Sequence, residues 1–73
     1  MVKGESDLFF AVPNLTYHGL FIEMKAEGGK ATPEQLDYID VMLNLGYQAL
    51  VCEGAEAAKQ AITDYMTTAF IIH

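Results

Sequence analysis

Residues 19–25 read Gly-Leu-Phe-Ile-Glu-Met-Lys, and residues 7–12 read Asp-Leu-Phe-Phe-Ala-Val. Both runs are dense in β-forming residues and apolar at successive positions, so each predicts a strand that needs cover on both faces. Pro13-Asn14 stops the first run, and Leu15 to His18 makes a short connection to the second. A link that short predicts an antiparallel hairpin. The chain must therefore bury a two-faced hairpin, using helices of its own or another subunit.

The remaining residues supply two helices and a third strand. Ala26 to Ala31 contains Gly28-Gly29 and reads as a loop. In Thr32-Pro33-Glu34-Gln35 the threonine can cap, the proline suits the first helical position, and Gln35 can close a capping box. The helix is expected to run to about Leu45, with Gly46 as a left-handed terminator. Leu36, Ile39, Met42 and Leu43 recur at helical spacing and define its expected inner face, with Asp37, Asp40 and Asn44 largely opposite. Tyr47 to Cys52 reads as a third strand. Glu53-Gly54 turns the chain into a second helix from Ala55 to about Thr68, with Ala58, Ala61, Ile62 and Tyr65 inward. Phe70-Ile71-Ile72 is an apolar end for core packing or a subunit contact. The order is β-β-α-β-α, an α/β arrangement with a three-stranded mixed sheet, and residues 1–73 are expected to form a single domain.

Size and charge narrow the function. A chain of 73 residues buries only about 60% of its unfolded surface and is marginal alone, which points to oligomerisation. The lone Cys52 allows no intrachain disulfide and fits a reducing compartment. Met1 to Asp7 is polar and unlike a signal peptide, and no apolar run spans a bilayer. Ten acidic residues face four lysines and no arginine, for a net charge of −6. This is not the surface of a passive nucleic-acid binder. Phosphate chemistry here would need a metal to carry positive charge.

Glu23-Met24-Lys25 interrupts the second apolar strand. Residues i and i+2 of a strand share a face, so Glu23 and Lys25 point the same way. They are either a strand end at solvent or a buried pair that must be neutralised or bind a metal. Asp7 opens the preceding strand. In an antiparallel hairpin opposed residues have a constant sum, and a turn centred near Leu15-Thr16 puts Asp7 opposite Glu23 or Lys25, all three on one face. A slip of one residue would undo this. Two carboxylates and a lysine on one face are the parts for metal-assisted phosphodiester hydrolysis, with oxygen ligands suited to Mg²⁺ or Mn²⁺.

Asp at a strand start followed by Glu-x-Lys on the next strand resembles the PD-(D/E)xK nuclease pattern. The wider context is more specific. Gly4-Glu5-Ser6-Asp7-Leu8-Phe9-Phe10, Tyr17 to Lys25, Gly28-Gly29-Lys30, Thr32-Pro33-Glu34-Gln35, Gly46-Tyr47 and Val51-Cys52 together resemble the VRR-NUC domain, the virus-type replication-repair nuclease module, over roughly Gly4 to Tyr65. The likeness is to its stand-alone phage and prophage members. It implies a minimal restriction-endonuclease-like core. It implies Asp7 and Glu23 as metal carboxylates, the backbone carbonyl of Met24 as a further ligand, Lys25 as the catalytic lysine, and Gln35 as a glutamine beside the active site. It also implies a homodimer cutting Holliday-junction-like or otherwise branched DNA, in the cytoplasm of a bacterial or phage-infected cell. Ser6 stands where the family usually has proline. The family's N-terminal helix, which carries another acidic residue, is expected to be missing, because the chain starts too late to contain it.

Other residues carry weaker signals. His18, beside Gly19 in the turn, is a possible ligand or base, and His73 is terminal. Cys52 reads as a buried strand residue. Lys30 is a candidate DNA-backbone contact. Tyr17 and Tyr38 have the chemistry to stack on bases, but packing is their simpler use, and Glu34, Asp37 and Asp40 read as a solvated helix face. Two functions follow: a Mg²⁺- or Mn²⁺-dependent endodeoxyribonuclease acting through Asp7, Glu23, Lys25 and Gln35, or a non-catalytic nuclease-fold module that dimerises and binds DNA or protein.

Overall fold

A computed structural model describes residues 7–69 of the chain; Phe70-Ile71-Ile72 and His73 lie outside the described residues. The elements are β1 (Asp7–Phe10), β2 (Leu20–Lys25), α1 (Pro33–Asn44), β3 (Gln48–Glu53) and α2 (Gly54–Ala69). The sheet order is β1-β2-β3. β1 pairs antiparallel with β2, and β2 pairs parallel with β3 through the α1 crossover. The expected mixed α/β sheet with two helices is therefore present.

The central strand β2 separates two apolar layers. Leu20 and Ile22 face α2 and pack with Cys52, Ala58 and Tyr65. Phe21, on the other face, packs with Met42 of α1 and Ala49 of β3. Ile22 is fully buried and Leu20 nearly so, each burial being worth roughly 1.5–3 kcal/mol. Alternation along β2 thus assigns odd-numbered residues to the α1 face and even-numbered ones to the α2 face.

The signals that bound α1 act as the sequence predicts. Thr32 Oγ1 accepts from the Gln35 amide at 3.1 Å, and Gln35 Oε1 accepts from the Thr32 amide at 2.8 Å. At the other end Tyr47 N donates to Met42 O at 3.0 Å and Gly46 N to Leu43 O at 3.1 Å. This is a Schellman closure, with Gly46 at φ +95°. A Cβ on Gly46 would also sit 2.5 Å from the His18 ring. His18 N donates to Gly46 O at 2.8 Å, and its ring meets Tyr47 edge-on at 5.7 Å. The histidine therefore buttresses the end of α1.

The β1–β2 connection is tied down by Asn14 and Tyr65. Asn14 Oδ1 accepts from Thr16 N at 2.9 Å and Tyr17 N at 2.7 Å. The Tyr65 hydroxyl donates to Val12 O at 2.6 Å. Tyr17 lies against the Tyr65 ring, which is a packing role.

Two packing expectations are corrected. Leu36 and Leu43 do not face the core: they are 52% and 42% exposed. α1 also carries Tyr38, Ile39, Val41 and Met42, so its apolar residues surround the helix and define no single arc. The sheet accepts Ile39 and Met42. The hairpin is not buried on both faces throughout either. β2 is, but β1 is an edge strand with Asp7 and Phe9 exposed, because α1 packs chiefly on β3, and α2 on β2 and β3.

Candidate active site

The site lies on the α1 face of the sheet. Asp7, the first residue of β1, stands directly opposite Glu23 of β2. That is the register in which the two numbers sum to twice 15, with the turn where the sequence places it. Side chains so opposed project from Cβ atoms roughly 4.5–5.5 Å apart. Lys25 follows on the same face. Glu23 and Lys25 are each only 6% exposed, so they are a buried charged pair of positions and not a strand end at solvent. In the parallel register Lys25 stands beside Glu53 of β3.

Gln35 joins the site from α1. Its Nε2 donates to Glu23 Oε2 at 2.9 Å while its Oε1 accepts from the Thr32 amide. One side chain therefore closes the helix cap and orients the carboxylate. Met24, between the two charged residues, packs its side chain into the α2 layer. Lys30 is exposed in the loop between β2 and α1.

Asp7, Glu23, Glu34, Gln35 and Tyr38 line an open depression of about 310 Å³. Glu34 and Tyr38 were not singled out for this place by the sequence. The available signal was their spacing from Gln35, one residue before it and one helical turn after it. A second hollow of about 230 Å³, between Asn14, Tyr17, Gln48 and Tyr65, contains none of these site residues.

The donor set is hard oxygen. Among the described residues no three His, Cys, Asp or Glu side chains converge on one metal position. Mg²⁺ does not require that: it is commonly held by one or two carboxylates, with waters and substrate oxygens completing the shell. Two carboxylates facing one depression, Asp7 and Glu23, are a donor set of that kind. Cys52 does not belong to this chemistry. It is buried in the α2 layer, and burial pushes its thiol pKa up, away from the reactive thiolate. Burial also raises the Tyr65 phenol pKa.

The mixed α/β sheet places an acidic residue of its edge strand opposite a Glu-x-Lys on its central strand, the arrangement that the sequence resemblance to nuclease-type domains implies. The family model for the VRR-NUC domain matches residues 1–56, which include Asp7, Glu23, Met24, Lys25, Lys30 and Gln35. The chain belongs to the VRR-NUC family. No curated protein and no solved structure matches it. Among the described residues, no helix is long and apolar enough to cross a membrane.

Proposed function

We propose that the chain is a Mg²⁺- or Mn²⁺-dependent endodeoxyribonuclease acting on branched DNA such as a Holliday junction. The observation that carries this is the in-register Asp7–Glu23 pair with Lys25 on the same face and Gln35 fixed to Glu23. In this reading Asp7, Glu23 and the Met24 carbonyl hold the ion. When bound, it polarises the scissile phosphate and makes water acidic enough to attack. Lys25 positions the attacking water and stabilises charge developing on the phosphate. Gln35 holds the Glu23 carboxylate in one orientation, so that the pair does not reorganise as substrate arrives. Lys30 makes a DNA-backbone contact from its loop. A homodimer would set two such sites about a two-fold axis, which suits a four-way junction. The setting is the cytoplasm of a bacterial or phage-infected cell.

A second reading, a non-catalytic dimeric module that binds DNA or protein, draws on the exposed Leu36, Val41, Leu43 and Leu45 of the α1 region. Calorimetric titration with Mn²⁺ separates the two. The nuclease reading predicts a saturable site lost in Asp7→Ala and in Glu23→Ala. Heats that are the same in wild type and both variants would favour the module.

A further inference from the structure

We propose that Tyr38 is a stacking platform for a nucleobase left unpaired or unstacked at a branch point beside the scissile phosphate, and so selects branched DNA over continuous duplex. The proposal rests on the nuclease reading above and names what the same depression recognises. Tyr38 follows Gln35 by one helical turn and, among the described residues, is the one aromatic residue lining the depression with Asp7 and Glu23. Its ring meets Phe21 at 5.1 Å and 72°. Phe21 is buried, yet Tyr38 remains 50% exposed. The ring is thus held on one side and open on another, which a stacking surface requires.

Charge strengthens the case. Among the described residues, the depression is lined by Asp7, Glu23 and Glu34 and by no lysine or arginine. The whole chain has four lysines, no arginine and a net charge of −6. Of the described lysines, Lys25 is buried, Lys59 lies on α2 beside Glu56 at 3.6 Å, and Lys30 is exposed on the loop between β2 and α1. A grip on duplex DNA through many phosphates is unavailable to such a surface. Stacking on an exposed base face supplies an attraction of its own, one that a surface poor in cations can still offer. A continuous duplex keeps its base faces stacked inside, so this grip operates only where bases are unpaired or unstack, as at a flap or a branch point.

The test compares wild type, Tyr38→Leu, Tyr38→Met and Tyr38→Phe. Binding of a fluorescein-labelled single-stranded oligothymidylate and of a blunt duplex is measured by anisotropy in Ca²⁺. Cleavage of a flap and of the duplex is then measured in Mg²⁺ and Mn²⁺. Leucine and methionine both retain apolar contact with Phe21 but cannot stack, and thermal melts identify any variant that fails to fold. The expected result is preferential binding of the single strand by wild type. That preference should fall about tenfold in the leucine and methionine variants and return in Tyr38→Phe, with the change in flap cleavage appearing in KM. A preference equal in wild type and the non-aromatic variants overturns the inference, and Lys25-dependent cleavage then leaves the nuclease reading standing. Tyr38-dependent binding without any cleavage supports the platform and overturns the nuclease reading. Binding of neither DNA overturns the platform.

Discussion

Gln35 couples two functions that are usually separate, a helix cap and the orientation of a site carboxylate. The two can be told apart by substitution. Thr32→Ala should remove the capping bond alone and cost about 1 kcal/mol. Gln35→Ala should cost about 2–3 kcal/mol, because it also removes a hydrogen bond to a charged group. Urea denaturation measures the difference, and equal losses in the two variants would mean that the Glu23 bond contributes nothing. Tyr65 and Cys52 each weaken the fold at alkaline pH. An unfolded chain ionises its thiol near 9.0 and its phenol near 10.0, whereas burial raises both in the folded state. The unfolded state therefore loses these protons first. Their contribution is complete below about pH 9 and is lost as pH rises toward the raised folded values. Tyr65→Phe should unfold more readily at neutral pH, by roughly 1 kcal/mol for the lost bond to Val12, and show a shallower alkaline decline. At this scale the sequence was informative about Cys52, since a lone cysteine among apolar neighbours has little alternative to burial. It offered packing as the simpler use of Tyr38 beside base stacking, made Glu34 part of a solvated helix face, and placed neither beside Glu23. Whether a helical residue meets solvent or a depression depends on where the helix crosses the sheet.

Among the elements, α1 was the most legible at its ends and the least along its length. Thr32, Pro33, Gln35 and Gly46 act locally, so their meaning survives without knowledge of the tertiary structure. Its inward face was misread because apolar residues surround the helix, and only contact with Phe21 and Ala49 selects Ile39 and Met42. Gly46→Ala tests the closure of this helix. It forces a side chain into a positive-φ conformation and into the His18 ring, and should cost more than about 2 kcal/mol, read as a fall in melting temperature. A loss within 0.5 kcal/mol would contradict the buttress described for His18. The hairpin was legible for a different reason. The constant-sum rule and one turn position fix the register, and the Asp7–Glu23 pair follows. The same rule says nothing about cover, which is why β1 was expected to be buried and is an edge.

For the molecule as a whole, β2 is the shared support. Its even-numbered residues hold the α2 core, and Glu23 and Lys25 lie on its other face, in the candidate site. Ile22→Ala, on the face away from the carboxylates, should therefore cost about 2–5 kcal/mol and impair the site only through loss of folded protein. Cleavage per folded molecule, corrected by circular dichroism, measures this. The exposed Leu36 and Leu43 and the edge strand β1 are surfaces that a second copy could cover. Sedimentation at micromolar concentration should show a dimer that Leu36→Lys weakens, and a wild-type monomer would remove the dimer from the proposal. The central claim is that Asp7, Glu23 and Lys25 form one hydrolytic site. Its most direct test is cleavage of a labelled four-way junction, a flap and a linear duplex in Mg²⁺ and Mn²⁺, by wild type and Lys25→Ala. The account predicts metal-dependent cutting of the branched substrates that is abolished in Lys25→Ala. Cutting that persists in the folded variant, or its absence from a folded wild type that binds the metal, would contradict it.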